Sequence, residues 1–198
     1  PNGYETSLFD ALDEYLPREN PVIEIGAGIG AVSAYVNDRL FIKTEHIALE
    51  PNPYYTELLR ETKKKNNLGT RFVQGAINYD AAFVPYVVSR NIVDTASTAA
   101  YTDETVTVQS LTLSQIIRDS TFVDKTNITL IVDAEGVCED ILDNEPALSH
   151  AVSTIITTVT GSDAIFELRR KAESAGYTLA NTPLADESGL MTLVFQRT

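Results

Sequence analysis

The chain has 198 residues, of which 43% are hydrophobic, enough for one domain with one sizeable core. Its net charge of −13 comes from 28 acids against 15 bases, a field that repels phosphate backbones and anionic membranes at ordinary salt. Cys138 is the single cysteine, which excludes an intrachain disulfide and a cysteine zinc site, and no apolar run nears the ~20 residues of a membrane-spanning helix. At the amino end, "PNGYETSLFDAL" lacks the basic start and apolar core of a signal peptide, so a cytoplasmic protein is expected. Residues 4–16 place Leu8, Leu12 and Leu16 four apart with Phe9 beside them, an amphipathic helix stopped by Pro17. "PVIEI" (21–25) reads as a short strand and "AVSAYVNDRL" (31–40) as a helix entered directly from glycines. "HIALE" (46–50) is a second strand, closed by the turn "PNP". A helix over 54–67 ends at Asn66, Asn67 and Gly69, and "RFVQGAI" (71–77) is a third strand.

Residues 78–105 are less regular. "AAFVPYVV" (81–88) suits a strand with Pro85 at an edge position, and the following residues to 104 read as loop. A strand over 106–111 and a helix over 112–120 follow, then the strand "ITLIVD" (128–133). A helix over 138–149 is expected to break near Pro146, before a strand at 153–159 and a helix over 164–177. "YTLANTPL" and "LMTLVFQR" form a closing antiparallel pair. Strands alternating with helices predict an α/β fold with a mostly parallel sheet, in one domain over residues 1–198. Ligands of such sheets sit at the carboxyl ends of the strands, where Glu50 and Asp133 fall.

The informative stretch is "PVIEIGAGIGAVSAYV" (21–36). Gly26, Gly28 and Gly30 between a strand and a helix permit a tight turn and a close approach of ligand to backbone. "GAGIGA" satisfies the relaxed G-x-G-x-x-A form, with Glu50 about 20 residues on, so a nicotinamide dinucleotide site is one option. Glu24 tilts the choice, because a carboxylate near the loop repels pyrophosphate and attracts a cation. S-adenosylmethionine carries a sulfonium and an ammonium and no phosphate. Glu24 near its amino group and Glu50 on its ribose make a matched pair.

With "ALEPNPYYTELLRETKKKNNL", "FVQGAI", "VTVQSLTLSQII", "LIVDAEGVCEDIL" and "STIITTV" following in order over roughly residues 21–160, the chain resembles the class I S-adenosylmethionine-dependent methyltransferases, and within them the FkbM type. "EPNP" before a leucine-containing helix and "D-x-EG" after an apolar strand are the more specific markers. The resemblance implies a Rossmann-like, seven-stranded sheet whose last strand is antiparallel, with helices on both faces. It places Gly26, Gly28 and Gly30 at the methionine moiety and Glu50 on the ribose. Pro51 and Asn52 would border the adenosine, Gly75 and Ala76 the adenine, and Asp133 the donor methyl and the acceptor. The chain departs from the family pattern at Glu24, where Asp is usual, and at Gly28, Ile131 and Cys138, where Asn, Lys and Glu are common.

The expected activity is methyl transfer to a hydroxyl of a small molecule or glycan, an acceptor class that the resemblance supplies. Asp133 is the expected base and Glu135 its alternate, with crowding by Glu135 and Glu139 expected to disfavour ionisation of Asp133. RNA or DNA methylation, a non-catalytic cofactor-binding module and a nicotinamide-dependent oxidoreductase stay open. Asp133, Glu135, Glu139 and Asp140 form a dense acid run that magnesium would suit, although a helix start enriched in acids is the plainer reading and no metal is expected. Arg60 and Lys63 to Lys65 read as a solvated helix face. His46 and His150 read as inert, with His150 a remote candidate base. Acceptor recognition is expected from residues 78–105, which carry Tyr79, Asp80, Tyr86, Arg90, Asn91, Asp94, Ser97 and Tyr101.

Overall fold

The computed structural model describes residues 6–88, 104–183, 185–187 and 189–198. After helix α1 (Thr6–Tyr15) come β1 (Val22–Ile25), α2 (Ala31–Arg39), β2 (His46–Glu50), α3 (Tyr55–Asn66) and β3 (Arg71–Gln74). Two strands, β4 (Ala76–Ile77) and β5 (Phe83–Val88), precede β6 (Glu104–Leu111) and α4 (Leu113–Asp119). The remainder is β7 (Ile128–Val132), α5 (Val137–Asn144), α6 (Leu148–Ala151), β8 (Val152–Thr160), α7 (Ser162–Ser174), β9 (Tyr177–Leu179) and β10 (Leu190–Arg197).

Seven strands form one sheet in the order β3-β2-β1-β7-β8-β10-β9. The first five are parallel, and β10 runs antiparallel to both β8 and β9. The order reverses between β1 and β7, which opens a crevice at their carboxyl ends. All five residues of β7 are buried, as a strand covered on both faces requires, and hence read as an unbroken apolar run. Ile23, Ile25, Leu130 and Val132 face one core with residues of α4, α5 and α7. Val22 and Ile131 face the other with α1 and α2, and Leu59 of α3 packs on Ala48. Each fully buried aliphatic side chain contributes about 1.5–3 kcal/mol.

Local chemistry sets the boundaries. Asn67 closes α3 in the left-handed conformation (φ 51°). Thr112 and Gln115 form a reciprocal capping box that opens α4. The helix expected over 138–149 does break around Pro146, into α5 and α6. The strand expected over 71–77 is not continuous. It divides at Gly75, and β4 leaves for a second sheet of order β4-β6-β5, in which Pro85 sits on an edge strand. A side chain at Gly75 would press on the Gln109 carbonyl oxygen at 3.1 Å and on Leu111, so a larger residue would push β6 back from the end of β3 by a few tenths of an ångström.

Candidate active site

The loop after β1 is stitched to both neighbouring strands. The amides of Gly26 and Ala27 donate to the Leu49 carbonyl of β2, and the Asp133 amide donates to the Ile25 carbonyl of β1. Gly26 is confined twice over: its φ is 91°, and a Cβ there would lie 2.3 Å from the Asp133 carbonyl oxygen. Gly28 differs. Its φ of 54° also favours glycine, but a Cβ would meet nothing within 4 Å, so the space over the loop is open.

Glu50, at the end of β2, closes on that loop. Its Oε2 accepts from the Gly28 amide at 2.7 Å and its Oε1 from the Asn52 amide at 2.8 Å. A carboxylate has about four acceptor sites, so two stay available, one on each oxygen. Burial raises the Glu50 pKa, the two amides oppose that shift, and the charge of Glu24 adds to it. The Asn52 side chain turns inward and accepts from the Tyr54 amide at 3.0 Å, which fixes the "EPNP" turn beside Pro51. Gly75 donates its amide to the Glu50 carbonyl at 3.2 Å, and Ala76 pairs with Ser110, so both build the passage into the second sheet.

Glu24 is fully buried beneath the loop. Its Oε2 accepts from the Ser33 hydroxyl at 2.7 Å and lies 3.0 Å from Nε2 of His46, whose Nδ1 is 3.0 Å from the Thr70 hydroxyl. Ser33, His46 and Thr70 are themselves fully buried. The other carboxylate oxygen, Oε1, is buried without a partner. An orphaned buried acceptor costs about 1–3 kcal/mol, more when charged. Glu24 acts electrostatically on both Glu50 and Asp133, so three carboxylates surround the loop.

Asp133 follows β7 and accepts from the Thr158 hydroxyl of β8 at 2.7 Å. Its pKa is raised first by burial and also by the charge of Glu24, with Thr158 opposing. The expected crowding by Glu135 and Glu139 is not the cause: the strand end turns Glu135 out to solvent, and the acid that reaches Asp133 comes from β1. Among the described residues no three His, Cys, Asp or Glu side chains converge as a metal site would require, the acid run at 133–140 included. Cys138 is buried, which pushes its thiol up to about 12 and leaves it no nucleophile.

Three of the four bases of α3 are engaged locally. Arg60 pairs with Glu57 at 3.2 Å, Lys65 with Glu61 at 3.1 Å, and Lys63 donates to the Thr70 carbonyl at 2.6 Å. Together with Arg71, Arg60 and Lys63 line a cavity of about 470 Å³ between α3 and β3 that extends to Glu50. The hydroxyls of Tyr55 and Tyr86, raised in pKa chiefly by burial, also feel the charge of Glu50. Tyr79 bonds Glu145 at 3.1 Å, and Asp80 lies in the turn after β4. Arg90, Asn91, Asp94, Ser97 and Tyr101 lie outside the described residues. His150, in α6, is not brought to the Glu50–Asp133 crevice by any bond described. Sequence reasoning missed Ser33, Thr70 and Thr158 and set His46 aside. One signal was present: in α2, Ser33 and Asn37 stand four apart among buried valines, a polar stripe on an inward face.

No protein-family model and no curated protein matches the sequence. Solved structures do match. The precorrin-6y C5,15-methyltransferase of Geobacter metallireducens is similar over 96% of this chain and 87% of its own, with a TM-score of 0.60 at 14% identity. PH1948, a proposed RNA methyltransferase of Pyrococcus horikoshii, is similar over 96% of this chain and 80% of its own, with a TM-score of 0.56 at 10% identity. TrmK of M. capricolum, solved with the cofactor product S-adenosyl-homocysteine, is similar over 96% of this chain and 66% of its own, with a TM-score of 0.58 at 11% identity. Identity this low speaks for fold alone, and the strand order speaks for the same one: the chain has the Rossmann-like class I methyltransferase fold, a seven-stranded, mostly parallel sheet with an antiparallel strand near its far edge.

Proposed function

We propose that the chain is an S-adenosylmethionine-dependent methyltransferase that acts on a hydroxyl of a small molecule or glycan. One observation carries the cofactor: the Gly28 amide, which a dinucleotide fold would turn to pyrophosphate, is bonded to Glu50 at 2.7 Å. A phosphate at this loop would displace that bond and face three carboxylates. A cation meets none of these costs. The residues fit S-adenosylmethionine group by group. Glu50 keeps two acceptor sites for vicinal ribose hydroxyls, the space above Gly28 is open, and the orphaned Oε1 of Glu24 awaits a donor such as an ammonium.

When bound, the cofactor supplies a methyl group already activated on sulfur. The protein then has to align an acceptor and remove its proton. Asp133 is the group for the second task. Thr158 fixes its orientation through Oδ1, and burial with Glu24 nearby raises its proton affinity above that of an exposed aspartate. Glu135, exposed two residues on, is the alternate base for a large acceptor. Acceptor contacts are assigned to the described parts of residues 78–105, a reading supported by Tyr86, whose hydroxyl feels the charge of Glu50.

An RNA acceptor is the second reading, favoured by similar structures such as PH1948. The net charge of −13 and the local pairing of the α3 bases weigh against it. A transfer assay with labelled methyl groups over hydroxylic small molecules, glycans and RNA decides. Label in the first two classes supports the proposal. Label in RNA alone transfers the activity to the second reading, and cofactor binding without label anywhere leaves a non-catalytic module of the same fold.

A further inference from the structure

His46 and Thr70 are unused by the chemistry above, yet their buried line ends at Glu24, the β1 carboxylate that keeps an orphaned oxygen. We infer that His46 is a positioning residue for the cofactor's amino-acid half, acting through Glu24. The inference rests on the cofactor reading above. His46 begins β2, and Glu24 stands third in the neighbouring β1; their side chains meet at 3.0 Å, both fully buried. The direction of each proton follows from the partners. A carboxylate only accepts, so the nitrogen that faces Glu24 at 3.0 Å, Nε2, carries the imidazole proton, and Nδ1, 3.0 Å from the Thr70 hydroxyl, is then free to accept from it. Ser33 donates to the same Oε2 at 2.7 Å. Two donors on one oxygen fix the rotation of the carboxylate and leave Oε1 as its buried acceptor without a partner. The other groups around the line are Lys63, bound to the Thr70 carbonyl, and Glu50 and Asp133, which feel Glu24 across the loop.

A purely structural role for His46 would not distinguish the two halves of the ligand, and this one does. 5′-Methylthioadenosine retains the adenosine, which Glu50 serves, and lacks the amino-acid portion. Calorimetry on the full chain with S-adenosylmethionine and with methylthioadenosine, for wild type, His46→Leu and His46→Gln, reads the difference. The Leu variant removes the donor to Glu24, and loses about tenfold or more in affinity for S-adenosylmethionine with methylthioadenosine within about twofold. The Gln variant keeps an amide donor in the place of Nε2 and recovers most of that loss. Equal losses for both ligands, or an unchanged S-adenosylmethionine affinity in the Leu variant, overturn the inference. Nitrogen chemical shifts of the imidazole give a test that needs no variant: the Nε2–H tautomer is expected in the free protein, and the Nδ1–H tautomer contradicts it. Wild type that binds neither ligand overturns the cofactor reading, and the inference with it.

Discussion

Two glycines of one loop separate folding from binding. At Gly26 a methyl group would strike the Asp133 carbonyl at 2.3 Å from a backbone that already has φ 91°. Backbone strain of this kind costs about 1–3 kcal/mol before the clash is counted. Gly26→Ala is therefore expected to lower the melting temperature and to abolish S-adenosylmethionine binding together. At Gly28 the methyl meets no protein atom and only the φ of 54° opposes it, so Gly28→Ala is expected to melt a few degrees below wild type and still lose the ligand. Thermal melts with calorimetry check both. If Gly28→Ala binds normally, the open space over the loop is not the ligand's. Glu50→Ala removes charge-assisted hydrogen bonds worth about 1.5–3 kcal/mol and should weaken S-adenosylmethionine binding by roughly ten- to a hundredfold in the same titration. Asp133 adds a dependence on pH. Its folded pKa is raised, chiefly by burial, so the folded state holds that proton more tightly than the unfolded state does. The stability it contributes is complete below the ordinary carboxylate range and is lost as pH rises through the raised value. Asp133→Asn is expected to be at least as stable as wild type at neutral pH. Its turnover should fall about a hundredfold or more with cofactor affinity nearly intact. Melts across pH and kinetics on the identified acceptor test the pair of effects, and a collapse of affinity would make Asp133 a binding residue instead.

At the scale of elements, the sequence is most legible where one physical cause dominates. β7 is apolar throughout because both its faces are covered, and α3 stops where Asn67 takes a left-handed conformation. The sequence is silent where the cause is a contact between distant residues. Nothing in "RFVQGAI" says that Gly75 sits under Gln109, so one strand was expected where the structure has two in different sheets. The Glu24 line joins residues 33, 46 and 70, which no spacing rule connects. The same holds for Asp133, whose neighbours in sequence are acids while the acid that reaches it lies on another strand. The second sheet is the element with most to reveal. It is anchored where Tyr54 donates to Glu104 at 2.5 Å and where Gly75 meets β6, and its Tyr86 feels the charge of Glu50. Hydrogen exchange is expected to slow over residues 83–88 and 104–111 when cofactor binds, and further with acceptor. Protection confined to the loops after β1 and β2 would remove this sheet from the site.

For the whole molecule, the charge of −13 is the dominant property that the sheet does not explain. Among the acids, Glu24 repels both Glu50 and Asp133, and a cation bound near them would relieve that repulsion. Among the described residues no helix is long and apolar enough to cross a membrane. The fold places a crevice at the carboxyl ends of β1 and β7, and the side chains there choose between the two ligand classes that such a crevice serves. On the reading proposed above, their charge favours a cationic, phosphate-free ligand. Calorimetric titration of the protein with S-adenosylmethionine and, separately, with NAD tests this most directly. The prediction is saturable binding of S-adenosylmethionine and no measurable binding of NAD; tight NAD binding without S-adenosylmethionine binding would contradict it.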